Sequence, residues 1–272
     1  MLQERGQLSV HDPISKYVPD LPSAWQPITL HQLLTHTSGI PNFTEKPQGD
    51  STLNRIGVTP RQTLGLVAAE PLDFAPGTKL HYSNTGYILL GMVIEKVSGI
   101  SYADFLQKNI FTPLGMTNSG YDTATKILPQ RASGYMLDDK GHITNADFID
   151  MNGPFAAGGI YSTVEDMYRW NDALTSPAKL LTANSLGQMF AIYPETTAYG
   201  GQNYGYGVVL AHKFGKLLYY HGGGVDGFDS AIQRYPADRL CLVILENLDP
   251  THPWNIADHI GAELFHQLPP AR

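Results

Sequence analysis

Four short runs rich in apolar and β-branched residues crowd the last quarter of the chain, at 206–211, 216–221, 229–235 and 240–246. Runs of this length and composition read as β-strands. Pro236-Ala237-Asp238-Arg239 supplies a turn between the last two, which makes them an antiparallel hairpin. A final helix is expected over 254–267. Helix signals dominate what precedes. Thr29-x-x-Gln32 is a capping box ahead of Leu30, Leu33 and Leu34, with Gly39 as a stop. Thr59-Pro60 starts a helix to about Ala69, and an apolar helix over 85–97 ends at Gly99. Ser101-x-x-Asp104 opens a short helix stopped before Pro113, and Ser162-x-x-Glu165 caps one carrying Met167 and Trp170. The fold class is therefore α+β. A mainly helical part (roughly 1–200) precedes an antiparallel sheet closed by a C-terminal helix (201–272), and with no repeat or linker 1–272 reads as one domain.

Composition narrows the function classes. Asp plus Glu (25) outnumber Lys plus Arg (18), and the net charge of −7 argues against a nucleic-acid partner, which needs a basic face. The apolar stretch from Tyr87 to Ile94 is far below the ~20 residues that span a bilayer. The single cysteine, Cys241, sits in Cys-Leu-Val-Ile-Leu and reads as a strand residue of the core rather than a nucleophile. Met1 to Glu4 look like the last turn of a helix stopped by Gly6, so upstream sequence is expected and the compartment stays open.

Three stretches carry candidate chemistry. In His81-Tyr82-Ser83-Asn84, extended backbone would project Tyr82 and Asn84 to the same side. A phenol beside a carboxamide forms a base-and-donor pair if a nearby cation lowers the phenol from about 10. The same stretch also reads as a capped turn entering a helix. In His221-Gly222-Gly223-Gly224, glycines let a second backbone approach a strand edge, with His221 as a polar group beside it. It reads equally as a glycine-rich loop. Ser38, in His36-Thr37-Ser38-Gly39-Ile40-Pro41, is better explained by a helix C-cap at Gly39 than as a nucleophile. No Gly-x-Ser-x-Gly and no His-Glu-x-x-His occurs. His252, His259 and His266 recur every seven residues, but Pro253 interrupts them and no carboxylate completes a metal site. Glu165-Asp166 is a carboxylate pair that a helix cap explains.

Taken in order, these stretches resemble the serine β-lactamase and penicillin-binding-protein family, especially its class C, D-aminopeptidase and esterase-like branch. The matching residues are Gly6 to Tyr17, Ile28 to Ile40, Phe74-Ala75-Pro76-Gly77, Tyr82 to Tyr87, Ala157 to Thr163 and His221 to Gly224. The ordered set carries the resemblance, which spans nearly the whole chain. It implies a β-lactamase/transpeptidase-like fold and acyl transfer on a small-molecule ester, β-lactam or D-amino-acid peptide, without metal or cofactor. It implies Tyr82 as general base, alone or with a lysine, and Asn84 as the holder of the substrate carbonyl or amide. His221 stands where the family has Lys or His, Gly223 keeps the strand edge open, and the Gly224 N–H is half of an oxyanion hole.

The family also uses a Ser-x-x-Lys on the helix before the segment matching Gln3 to Leu8. This chain begins inside that helix, so nucleophile and lysine are expected to be absent, as are the N-terminal strands that flank the sheet. The literal Ser176-Pro177-Ala178-Lys179 lies far downstream with a proline inside it, and reads as a loop. The expectation is a serine hydrolase that is inactive as this chain. The alternatives are a ligand-binding module that keeps the groove without the chemistry, and a carboxylate-based hydrolase using Glu165. Oligomeric state is not legible.

Overall fold

The computed structural model describes residues 1–46, 57–197 and 202–266. Helices α1 (Leu30–Leu34), α2 (Pro60–Gly65), α3 (Asn84–Ser98), α4 (Tyr102–Leu106) and α5 (Thr112–Leu114) come first. Short strands β1 (Gly120–Tyr121), β2 (Tyr135–Leu137), β3 (Ile143–Asn145) and β4 (Ile160–Tyr161) precede α6 (Val164–Thr175) and α7 (Ala183–Met189). The main sheet is β5 (Asn203–Tyr204), β6 (Val209–Lys213), β7 (Lys216–Val225), β8 (Phe228–Tyr235) and β9 (Leu240–Glu246). After it, β10 (Leu248–Asp249) leads to α8 (Pro253–Leu264).

The helical part is organised around α3. Its Ile88, Leu89 and Val93 are buried among Leu33, Ile14, Trp25 and Val67. Gly91 lets the Phe155–Ala157 turn press against the helix, where a Cβ would lie 2.5 Å from atoms of both Phe155 and Ala156. Gly99 ends α3 in the left-handed conformation at φ 73°. Both arms of the Thr29–Gln32 capping box are formed at the start of α1. No helix among the described residues is long and apolar enough to cross a membrane.

The sheet runs β5-β6-β7-β8-β9 with every neighbour antiparallel. On β7, alternation sends Tyr220 and Gly222 to one face and Tyr219, His221 and Gly223 to the other. The first face receives α8: Trp254 packs edge-on against Tyr220 at 5.5 Å. On the second, Tyr219 stacks on Phe190 at 4.6 Å, just past the end of α7. Strand β6 pairs with β7 only as far as Val209–Tyr220. From His221 to Val225, β7 is paired with β8 alone among the described residues.

Several sequence expectations are corrected. The strand expected to end at His221 continues to Val225, because Gly222, Gly223 and Gly224 pair with Ala231, Ser230 and Asp229. The strand expected from 206 starts at Val209, since Gly207 at φ 71° makes a turn ahead of it. The helix cap expected at Ser162 is Thr163, whose hydroxyl accepts the Asp166 N–H at 3.3 Å. The helix from Ser101 does not stop before Pro113. It passes through a π-turn at Gln107–Phe111 into the three-residue α5, which carries Pro113 and is stopped by Gly115 in the left-handed conformation. The helix from Pro60 ends at Gly65, and α8 ends at Leu264; Gln267, in the expected span, lies outside the described residues. Cys241 is half-buried on β9, and burial pushes its thiol up to about 11, which suits a structural residue.

Gly222 ties sheet to helix most tightly, because a Cβ there would come 1.8 Å from Cζ2 of Trp254. Gly222→Ala is expected to lower stability by about 1–3 kcal/mol through overpacking. Gly224→Ala, whose Cβ would meet nothing closer than Asp229 Oδ1 at 3.7 Å, should change it by about 0.5 kcal/mol or less. Urea unfolding of both variants checks the contrast.

Candidate active site

The turn carrying Tyr82 and Asn84 is laid against the segment that follows α1. His81 N–H donates to the His36 carbonyl at 2.9 Å, and Ser83 N–H donates to His36 Nδ1 at 3.0 Å. Asn84 N–H donates to Asn42 Oδ1 at 3.1 Å, and the Thr85 hydroxyl donates to the Pro41 carbonyl at 2.7 Å. The two sequence stretches at 36–42 and 81–85 are therefore one structural unit. Asn84 opens α3, with Ser83 as an extended N-cap residue. Ser83 between Tyr82 and Asn84 is extended and the helix begins at Asn84, so the stretch forms the turn entering a helix, the second of the two sequence readings. The Asn84 side-chain amide donates to Thr44 Oγ1 at 3.3 Å.

Tyr82 and His221 come together from distant parts of the chain, with ring centroids 6.2 Å apart. Three residues that sequence reasoning did not assign complete the cluster. His36 lies 4.1 Å from Tyr82, 5.0 Å from Tyr87 and 4.6 Å from Tyr204, ring centre to ring centre. The Tyr204 hydroxyl and His221 Nε2 are 2.8 Å apart, and His221 Nδ1–H donates to the Gly222 carbonyl at 2.6 Å. Tyr204 stands in Asn203-Tyr204-Gly205-Tyr206-Gly207, an aromatic–glycine alternation that is the only local signal for it. His36 was legible as a polar residue in the stretch around Ser38, but its role depends on a partner far along the chain.

Every titratable member of the cluster is biased to its neutral form. Burial lowers His36 to about 3 and also lowers His221. Burial raises Tyr82, Tyr87 and Tyr204. Tyr82 keeps 39% of its surface exposed, yet the rings around it are enough to raise its phenol. Burial thus holds the Tyr82 phenol in its neutral form at neutral pH.

Gly223 and Gly224 lie on the stretch of β7 that β6 leaves unpaired. Ser230 Oγ donates to the Gly223 carbonyl at 3.1 Å. The steric need for glycine falls on Gly222 rather than on these two. Of the other groups weighed from sequence, Ser38, Ser83, Asp166 and Lys179 have structural partners, while Glu165 is exposed in the first turn of α6. Ser38 is buried and its Oγ accepts the Ile40 N–H at 3.2 Å; Ser83, also buried, turns its hydroxyl to the Pro41 carbonyl at 3.5 Å. Ser176 ends α6, and Lys179 in the turn after it pairs with Asp172. Asp166 is fully buried and accepts from Asn118 N–H (2.7 Å), the Ser119 hydroxyl (2.8 Å) and Arg169 (2.9 Å). It ties α6 to the loop before β1. Among the described residues no group of three His, Cys, Asp or Glu side chains has the geometry to hold a metal.

Comparison with known proteins follows this geometry. The family model described as Beta-lactamase matches residues 1–264. Penicillin-binding protein 4* of Bacillus subtilis (strain 168) is 31% identical over 264 residues, covering 91% of this chain and 57% of that protein. The chain therefore spans a little over half the length of this curated relative. The octameric penicillin-binding protein homologue from Pyrococcus abyssi superposes with a TM-score of 0.83 at 31% identity, over 98% of this chain and 62% of that one. A D-stereospecific amidohydrolase from Streptomyces sp. superposes at 0.85 with 28% identity, over 96% and 81%.

A neutral buried His36 makes stability depend on pH. Its folded pKa (about 3) lies below its ordinary value of 6.5, so its contribution is complete above pH 6.5 and is lost as pH falls toward 3. The slope for one proton is at most about 1.4 kcal/mol per pH unit. His36→Asn, chosen because asparagine tolerates the left-handed φ of 56°, should flatten unfolding free energy against pH across this window. Urea titrations of parent and variant at several pH values measure the difference.

Proposed function

Since this chain belongs to the beta-lactamase family, we propose that the cluster of Tyr82 and His221 beside the open stretch of β7 is the acyl-substrate groove of a serine hydrolase. The observation that carries the reading is the approach of these two rings to 6.2 Å from distant parts of the chain. In this reading Asn84 holds the carbonyl or amide of the ligand. Tyr82 transfers a proton, His221 forms the wall at the strand, and the Gly223–Gly224 backbone lies along the ligand, with the Gly224 N–H toward the developing oxyanion. The ligand class is a small ester, β-lactam or D-amino-acid amide. A D-stereospecific amidohydrolase among the structural neighbours supports the last of these.

We further propose that these 272 residues do not by themselves complete acyl transfer. Tyr82 is a raised phenol, Ser38 and Ser83 are buried against backbone, and the literal Ser176-x-x-Lys179 is a turn whose lysine pairs with Asp172. Covalent catalysis needs an activated hydroxyl, and losing a nucleophile costs on the order of 10⁶ in turnover. This favours a second reading beside the first, in which the chain alone is a ligand-binding module that retains the groove.

Two measurements on the purified chain test these readings. Hydrolysis of nitrocefin, a p-nitrophenyl ester and D-phenylalanine amide should match that of Tyr82→Phe; turnover abolished by Tyr82→Phe would overturn the claim of inactivity. Ligand-observed NMR should detect saturable binding of D-phenylalanine amide. Asn84→Ala should weaken it about fivefold, the effect of one net hydrogen bond of ~1 kcal/mol. Absence of binding, or binding indifferent to Asn84, would remove the groove assignment.

A further inference from the structure

We propose that Tyr204 is a positioning residue of this site, its hydroxyl holding the His221 imidazole in a single tautomer and orientation beside Tyr82. The inference rests on reading the Tyr82–His221 groove as the ligand site, and its own support is geometric. A backbone carbonyl only accepts hydrogen bonds, so the 2.6 Å contact from His221 Nδ1 to the Gly222 oxygen requires the proton on Nδ1. A neutral imidazole has one N–H, which leaves Nε2 as an acceptor. The Tyr204 hydroxyl, 2.8 Å from Nε2, is then the donor. Burial lowers His221 and raises Tyr204, and both shifts favour this neutral donor–acceptor pair.

Tyr204 is itself firmly held. It is 5% exposed, its N–H donates to Thr196 Oγ1 at 3.2 Å, and it pairs with Val209 across β5 and β6. Its ring lies edge-on to His36 at 74° and to Tyr82 at 73°. One buried side chain thus links the His36–Tyr82 unit of the helical part to His221 on the sheet. Both ring nitrogens of His221 are engaged by protein groups. A ligand atom that bonds Nε2 must therefore displace the Tyr204 hydroxyl. Tyr204 acts through His221 and is not itself placed as a catalytic group.

The test is a long-range ¹H–¹⁵N correlation spectrum of the full chain with ¹⁵N-labelled histidine, recorded without ligand at mildly alkaline pH. The parent should show His221 protonated at Nδ1 and bare at Nε2. Tyr204→Phe, which keeps the ring, should shift the tautomer ratio toward Nε2–H by about three- to tenfold, as loss of one hydrogen bond predicts. Tyr193→Phe removes a hydroxyl outside the cluster, one that donates to the Gln188 carbonyl at 2.8 Å, and should leave the ratio unchanged. A parent protonated at Nε2, an unchanged ratio in folded Tyr204→Phe, or equal shifts in both variants would overturn the assignment. If Tyr204→Phe does not fold, the parent decides: coupling between Nε2 and the Tyr204 hydroxyl proton supports the proposal, and a protonated Nε2 rejects it. Because no ligand enters the measurement, it succeeds or fails independently of the binding test above.

Discussion

A backbone amide bonded to a buried imidazole, Ser83 N–H to His36 Nδ1 at 3.0 Å, fixes how the two halves of the candidate site meet. His36 is 1% exposed, so it serves as an acceptor only while neutral. Its backbone adopts φ 56°, which for a histidine costs energy and lets the chain after α1 run alongside residues 81–85. The same ring is walled by Tyr82, Tyr87 and Tyr204. Among the described residues its Nε2 has no hydrogen-bond partner, a buried polar atom left unpaired. The position of Tyr82 thus follows from an imidazole on the other side of the turn rather than from its own stretch of chain.

The electrostatic consequence is a site without charge at its centre. Three phenols are raised and two imidazoles lowered by the same cause, removal from water. Such a cluster orients hydrogen bonds well, because fixed dipoles in a dry setting need no reorganisation. Geometry and acidity have one origin: the packing that brings the rings together also removes them from water.

How much of this was legible in the sequence depends on the range of the interactions involved. The capping box at Thr29, helix α3 with its stop at Gly99, and the β8–β9 hairpin are encoded within a few residues, and each forms. Tyr82 and His221 were found because their local patterns, taken in order, resemble a known family. Their partners were not, since His36 and Tyr204 act through contacts with residues distant in sequence. The internal steric demand at Gly222 was not legible either, because it is set by Trp254 from α8. The cap at Thr163 and the helical start at Asn84 were each displaced by one residue, where several side chains of similar chemistry compete.

The central claim is that burial beside the His36 and His221 rings keeps Tyr82 a neutral phenol. Incorporating tyrosine labelled with ¹³C at Cζ, and assigning the Tyr82 signal by its loss in Tyr82→Phe, reads that protonation state directly. The account predicts a phenol resonance at neutral pH that moves to the phenolate position only above the ordinary tyrosine value of about 10. A phenolate signal at neutral pH, or a midpoint below that value, would contradict it.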